Sequence, residues 1–162
     1  VILHYGIKNF VDKINSIGVD GLIIVDLQPE EDQELYDTLK SKNIDLIRLI
    51  TPNTTAKRLT TITNQASGFL YYVTVTGITG QKSANIQELK KIISNLKEYS
   101  KLPIIAGFGI KDKKDLSEIC KTADGAVIGS SIVKIIENNL NNKEKMMNEI
   151  SSFIEELKKG TR

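Results

Sequence analysis

The sequence predicts an α/β fold in which short parallel strands alternate with helices. Two observations support it. Apolar, β-rich runs recur with starts about 20 to 35 residues apart, the length of a strand plus its return helix. Most of these runs are apolar on both faces, which is typical of strands that are covered on both sides in a parallel sheet. The predicted strands are Gly21–Val25, Asp45–Ile50, Phe69–Val75, Pro103–Ala106 and Gly125–Ile128.

Helical spacing of apolar residues fills the intervals between these runs. Before the first run, Ile7, Phe10 and Ile14 follow one helix face, and Gly18 ends that helix. Pro29 and the two acids after it are predicted to form the first turn of the next helix, where a missing N–H costs nothing and the helix dipole favours negative charge. The series contains no low-complexity linker, so residues 1–162 are expected to form one domain.

Composition excludes several classes of function. Lys plus Arg is 22 and Asp plus Glu is 20, so the net charge of +2 gives no reason to expect nucleic acid or an anionic membrane as partner. No apolar run approaches the roughly 18 residues of a membrane span, and no signal peptide is visible, so a cytoplasmic location is expected. The only cysteine, Cys120, and the only histidine, His4, offer no disulfide and no metal-ligand set.

Glycine-bearing segments follow the last three predicted strands. They are Thr76–Gly80, Gly107–Ile110 and Gly129–Ser131, and the third leads directly into a predicted helix over Ile132–Leu140. Glycine lets backbone N–H groups approach an anion without a Cβ in the way. A helix N-terminus adds free N–H groups and the positive end of the dipole, and Ser130 adds a hydroxyl donor. The sequence lacks the G-x-G-x-x-G fingerprint of dinucleotide sites, so a simple phosphate ester is favoured over a nicotinamide cofactor.

The β/α alternation alone leaves two architectures open, a doubly wound sheet and part of an eight-stranded barrel. Four sequence segments help to choose between them. They are GVDGLIIVDLQPEE, GFLYYVTVTGITG, PIIAGFGI and ADGAVIGSSIVKIIE. In this order and with this spacing, from about Tyr5 to Glu137, they resemble the tryptophan synthase alpha-subunit family. The resemblance implies a partial (β/α)8 TIM barrel, parallel, in which the five strands correspond to the fourth to eighth of the full barrel and residues 1–162 form one incomplete domain.

That family cleaves indole-3-glycerol phosphate by a retro-aldol reaction into indole and glyceraldehyde 3-phosphate. It passes the indole to a beta subunit that carries pyridoxal phosphate, in an alpha2-beta2 heterotetramer. The resemblance therefore implies a lyase of tryptophan biosynthesis, with no cofactor and no metal in this chain. It assigns the phosphate to Gly80, Gly107, Gly109, Gly129 and Ser130, the indole pocket to Ile23, Leu49, Tyr71 and Phe108, and the loop that closes over the substrate to Gly77 and Thr79.

Two features of the sequence affect the assignment of family roles to this chain. Asp26 would lie in the loop that faces the beta subunit, in a supporting role, and the chain has Gln28 where the family's D-L-P-P-E-E pattern has its first proline. The family's catalytic glutamate and aspartate belong to its first three strands, which have no counterpart here, so no catalytic residue is assigned. We expect this chain alone to be inactive. A barrel that lacks three strands has two open edges and an uncovered interior, so the chain is also expected to be unstable, self-associating or completed by another chain.

Two other functions remain open at this stage. One is a different phosphate-sugar barrel enzyme, such as a relative of ribulose-phosphate epimerase or indole-glycerol-phosphate synthase, which would need metal-binding histidines or a catalytic lysine at strand ends. The other is a non-catalytic, phosphate-binding half barrel that binds the beta subunit. Binding to a beta subunit without lyase activity would favour the latter.

Overall fold

A computed structural model describes residues 1–73, 86–107 and 109–161 of the chain, although not the side chains of residues 86–88. The elements are α1 (Ile2–Tyr5), α2 (Ile7–Ser16), β1 (Gly21–Ile23), a 3-10 turn (Pro29–Glu31), α3 (Gln33–Ser41), β2 (Asp45–Ile50), α4 (Ala56–Asn64), β3 (Leu70–Val73), α5 (Ile86–Tyr99), β4 (Ile104–Gly107), α6 (Lys113–Cys120), β5 (Gly125–Val127), α7 (Ser130–Asn138) and α8 (Lys143–Lys158). Within these ranges, no helix is long and apolar enough to cross a membrane.

The described strands form one parallel sheet in the order β1-β2-β3-β4-β5, as predicted. Each strand pairs with the next one along the chain, so the described strands follow one another across the sheet in a single direction. The predicted boundaries shift by a few residues. β1 ends at Ile23 because the chain turns at Val25, whose side chain is 80% exposed. β4 begins one residue later than predicted and includes Gly107.

The Pro29–Glu31 segment does not open a continuous α-helix, contrary to the prediction. It forms a separate 3-10 turn, and α3 begins only at Gln33. The interruption falls at Asp32, whose backbone angles of φ −120° and ψ 17° are not helical. The Asp32 side chain is buried against Arg48 of β2 and does not cap α3. The helix after Gly129 begins at Ser130, two residues earlier than predicted.

The two faces of the sheet differ in burial. Helices cover the face that carries Leu70, Tyr72 and Ile104, which are at most 2% exposed. The opposite face, here called the open face, is mostly half-buried, and Ile23 and Val127 reach 46% and 37% exposure. The prediction of cover on both sides is therefore wrong for this face within the described residues. The open face comprises Gly21, Ile23, Asp45, Ile47, Leu49, Tyr71, Val73, Ile105, Gly107, Gly125 and Val127, of which Ile47 is buried at 7% exposure.

The buried apolar side chains form two clusters. The larger cluster lies under β2 to β5 and includes Ile50, Leu70 and Tyr72. The smaller cluster joins α2 and α3 to the start of β2 and includes Val11, Leu39 and Leu46. β2 contributes to both clusters, and the buried Arg48 lies on the same face between its two contributions.

Candidate phosphate and substrate site

The candidate site lies at the carboxyl ends of the last three strands, which the sheet register places level with one another. Gly107, the last residue of β4, is the lateral partner of Val73 on one side and Val127 on the other. Because parallel strands share their direction, the segments that leave these three ends emerge at one edge of the sheet. The predicted loop residues Gly77, Thr79 and Gly80, and also Phe108, lie outside the described residues.

A hydrogen bond joins the segment after β4 to the beginning of α7. The Ser131 hydroxyl donates to the Ile110 carbonyl oxygen at 2.6 Å, and Ile110 is 1% exposed. Gly109 precedes this contact with φ of 61°, a left-handed conformation that favours glycine. The structure thus brings Gly109 close to the helix that begins with Ser130. Ser130 is the predicted phosphate ligand, and this link belongs instead to the neighbouring Ser131. In the sequence, only the Ser-Ser pair at the start of the helix indicates it.

The N-terminus of α7 presents backbone donors at the same edge. Gly129 is the residue before the helix, no side chain caps it, and its carbonyl accepts the first helical bond from the Val133 N–H at 3.0 Å. The N–H groups of the first turn have no partner within the helix itself. Among the described atoms, a Cβ built at Gly109 or at Gly129 would meet nothing within 4 Å. No described atom therefore crowds either glycine, as a backbone that receives an anion would require.

Tyr71 and Gly107 lie in direct contact on the open face. Tyr71 is half-buried, while its neighbour Tyr72 is 2% exposed in the helix-covered core, so the predicted alternation is confirmed. A Cβ at Gly107 would fall 2.7 Å from the Tyr71 Oη and 2.9 Å from its Cε2. The Tyr71 ring therefore occupies the space that a side chain at position 107 would need.

The remaining predicted pocket residues extend along the open face. Leu49 is the lateral partner of Tyr71, and both are half-buried. Ile23 pairs with Ile47 on the same face and is 46% exposed. Asp26 lies in the exposed turn that follows β1, at the same edge of the sheet as the other strand ends. The structure thus places Ile23, Leu49 and Tyr71 on one face, with Asp26 at its rim.

Among the described residues, the groups whose pKa is shifted from its ordinary value lie outside this site. Burial raises the pKa of the Cys120 thiol at the end of α6, which disfavours a reactive thiolate, and Cys120 packs against the larger apolar cluster. The pKa of Asp124 is lowered, first by the hydrogen bond from the Ile104 N–H at 2.9 Å and also by Lys97. Asp124 therefore accepts a hydrogen bond from the first residue of β4, at the edge of the sheet opposite the candidate site. The described residues hold no group of three potential metal ligands.

Comparisons with known proteins agree with this geometry. The family model described as "Tryptophan synthase alpha chain" matches residues 1–162. The chain is 39% identical to the tryptophan synthase alpha chain of Petrotoga mobilis over 157 residues, which are 97% of this chain and 61% of that protein. It is 42% identical to that of Methanocaldococcus jannaschii over 149 residues, which are 92% of this chain and 53% of that protein.

Solved structures give the same result for the fold. Tryptophan synthase subunit alpha from Legionella pneumophila is similar with a TM-score of 0.86 and 29% identity over 99% of this chain and 58% of that one. A chain of the tryptophan synthase complex from Pyrococcus furiosus has a TM-score of 0.81 and 26% identity over 96% of this chain and 61% of that one. The chain therefore spans between about half and three-fifths of the length of these relatives, and its fold is a partial β/α barrel.

Proposed function

Because the chain belongs to the tryptophan synthase alpha chain family, we propose that it provides the phosphate-binding end of an indole-3-glycerol phosphate lyase of tryptophan biosynthesis. The observation that carries the proposal is the family match over residues 1–162, together with strand ends that the register brings to one edge. The proposed reaction breaks the carbon–carbon bond between the indole ring and the glycerol phosphate chain. Its products are indole and glyceraldehyde 3-phosphate.

The phosphate would bind at the N-terminus of α7. The uncapped first turn offers N–H donors and the positive end of the helix dipole, and Ser130 is its first residue. No atom of the described residues would meet a side chain at Gly109 or Gly129, so the phosphate oxygens could approach their backbone closely. The Ser131–Ile110 hydrogen bond supports this assignment because it fixes the segment after β4 relative to α7. Gly80 and Gly107 are proposed to complete the phosphate site.

The indole ring would lie on the open face. Ile23 and Leu49 offer half-buried or exposed apolar surface, and Tyr71 offers an aromatic ring for stacking. Phe108 is proposed as the second aromatic wall, and Gly77 and Thr79 as part of the closing loop. The two carboxylates that the chemistry needs, one to protonate the indole carbon and one to assist at the indole nitrogen, are proposed to lie in the part of the family's length that this chain does not cover.

A phosphate-binding experiment tests the proposal. Calorimetric titration should show binding of glycerol 3-phosphate and none of glycerol. Ser130→Asp places a negative charge at the helix N-terminus and should weaken that binding about tenfold or more, since like charges repel at close range. Ser152→Asp, on the exposed surface of α8, is the matched control and should leave the affinity unchanged. Equal binding of glycerol, or an unaffected Ser130→Asp variant, would contradict the site.

Partner and activity follow from the family and need separate tests. We propose a beta subunit carrying pyridoxal phosphate as the partner, since the similar chain from Pyrococcus furiosus was solved in a tryptophan synthase complex. We propose a cytoplasmic location with it. The chain alone is expected to release no indole from indole-3-glycerol phosphate, and measurable turnover would contradict this assignment. Capture of a beta subunit without turnover would instead favour a non-catalytic phosphate-binding half barrel.

A further inference from the structure

The segment that follows β1 is attached to the next β/α unit by several side-chain contacts. This anchored segment comprises residues 28–33, directly after the turn that carries Asp26. Its contacts reach β2 through Arg48 and α4 through Arg58 and Gln65. None of these residues belongs to the phosphate or indole site.

The central contact is a buried ion pair. The Arg48 Nη1 lies 2.5 Å from the Asp32 Oδ2, and their side chains are 5% and 0% exposed. The Arg48 Nε also donates to the Gln65 carbonyl oxygen at 3.1 Å. Arg48 therefore joins the start of α3 to the end of α4 through one guanidinium group.

The outer contacts are exposed to solvent. The Arg58 Nη2 donates to the Gln28 Oε1 at 3.0 Å and lies 3.9 Å from the Glu30 Oε2. Gln65 adds a hydrogen bond from its Nε2 to the Gln33 Oε1, also at 3.0 Å. Gln28 is the position at which this chain departs from the D-L-P-P-E-E pattern. A proline there would have no side-chain acceptor for Arg58.

A buried ion pair is weak evidence for stability, because desolvation of both charges offsets much of their attraction. Apolar residues of similar volume could fill the same space between the two apolar clusters, often without loss of stability. An arginine and an aspartate instead restrict the relative position of β2 and the start of α3, because a buried charge is stable only when the opposite charge lies beside it. This argues that the pair serves to fix the position of the anchored segment.

We propose that Arg48 and Arg58 are positioning residues that hold the anchored segment, and through it the Asp26 turn, at the rim of the open face. Only residues 24–27 separate β1 from the anchored segment, so fixing both ends restricts the turn between them. The inference rests on the proposed function in one respect: this turn is where the family resemblance places the beta-subunit contact. The Arg58–Gln28 hydrogen bond depends on the glutamine by which this chain departs from the family pattern.

Hydrogen exchange and a tryptophan reporter test the proposal on the whole chain. Because the sequence contains no tryptophan, Val25→Trp gives a single reporter in the turn. Leu140→Trp, at an equally exposed position after α7, is its matched control. In an Arg48→Met background, amides of residues 24–32 should exchange about tenfold or more faster relative to those of β3 and β4. The Val25→Trp reporter should depolarise faster, and the Leu140→Trp reporter should not change.

Further variants separate positioning from folding. Arg48→Met combined with Asp32→Leu removes both charges, so it should recover the overall stability without recovering protection of the turn. Arg48→Lys keeps the charge and should restore part of the protection. Equal acceleration of turn and strand amides, or acceleration of neither, would overturn the proposal. Titration with a beta subunit is the separate readout: if the unchanged chain does not bind while the exchange result holds, the proposed function fails and the positioning role stands.

Discussion

Gly107→Ala is the substitution whose effect the structure specifies most directly. The added methyl would lie 2.7 Å from the Tyr71 Oη, 2.9 Å from Cε2 and 3.2 Å from Cζ, all closer than ordinary contact. The obstructing atoms are the far end of a half-buried side chain, so the Tyr71 ring can move away from β4 while the backbone stays in place. We expect the ring to shift from the position in which it is proposed to contact the indole.

The expected cost combines two opposing effects. Overpacking in a well-packed site costs about 1–3 kcal/mol, and the mobility of the ring places this case in the lower half of that range. Replacing glycine within a strand by alanine recovers about 0.5–1 kcal/mol. The net loss should therefore be close to ~1 kcal/mol, measured as the free energy of unfolding in urea by far-UV circular dichroism.

Two further variants decide whether the Tyr71 contact is the cause. Gly129→Ala adds the same methyl where no described atom lies within 4 Å, so it should cost only what alanine costs relative to glycine before a helix, about 0.5–1 kcal/mol, and this cost should not depend on Tyr71. Tyr71→Phe removes the nearest obstructing atom, so a double-mutant cycle with Gly107→Ala should show a coupling of about 0.5 kcal/mol or more. Strictly additive effects of Gly107→Ala and Tyr71→Phe, or an equal coupling of Gly129→Ala with Tyr71→Phe, would refute the reasoning.

Four other substitutions have defined outcomes. Gly109→Ala places a side chain at φ 61° and should cost about 1–2 kcal/mol in urea unfolding. Ser131→Ala removes the hydrogen bond to the buried Ile110 carbonyl and should cost about 1–2 kcal/mol, whereas Ser130→Ala should change the stability by less than about 0.5 kcal/mol. Asp124→Ala should cost about 1 kcal/mol at neutral pH, allowing for the 41% exposure of this side chain. Because the folded pKa of Asp124 is lowered, its contribution is present above the unfolded pKa and is lost as the pH falls through the folded value, so unfolding at about pH 3 should show a smaller difference.

Periodicity predicted the sheet because strand and helix impose different spacings on apolar residues. The runs around Leu46, Tyr72 and Ile104 are strands in the predicted order, and their parallel pairing is confirmed. Their ends were less predictable. Val25 continues an apolar run in the sequence, yet the chain turns there, since propensity at a strand terminus is weaker than the geometry of the following loop.

Local sequence patterns could not predict the polar contacts between residues that are distant in the chain. Nothing near Arg48 in sequence indicates that its charge is buried, because its partners Asp32 and Gln65 are 16 residues before it and 17 residues after it. The same is true of Ser131, which reaches Ile110 across 21 residues. The glycine-bearing segments predicted where the strand ends would meet, but not which hydroxyl would join them. The contact between Gly107 and Tyr71 likewise depends on the register of β3 and β4.

The division of the core at β2 bears on how the chain opens. Leu46 packs with α2 and α3, Ile50 packs with the remaining strands, and the ion pair of Arg48 lies between them. Leu46 is the one β2 residue in the apolar cluster of α2 and α3, so cooperativity across this boundary depends on its packing, on the β1–β2 ladder and on polar contacts. Such limited contact is weakened by denaturant and by salt more readily than a continuous apolar core. Residues 1–44 are thus expected to behave as a separate foldon, with amides that exchange through a sub-global opening at a lower free energy than those of β3 and β4. Detachment of that foldon would expose the free edge of β2 before the rest of the sheet unfolds.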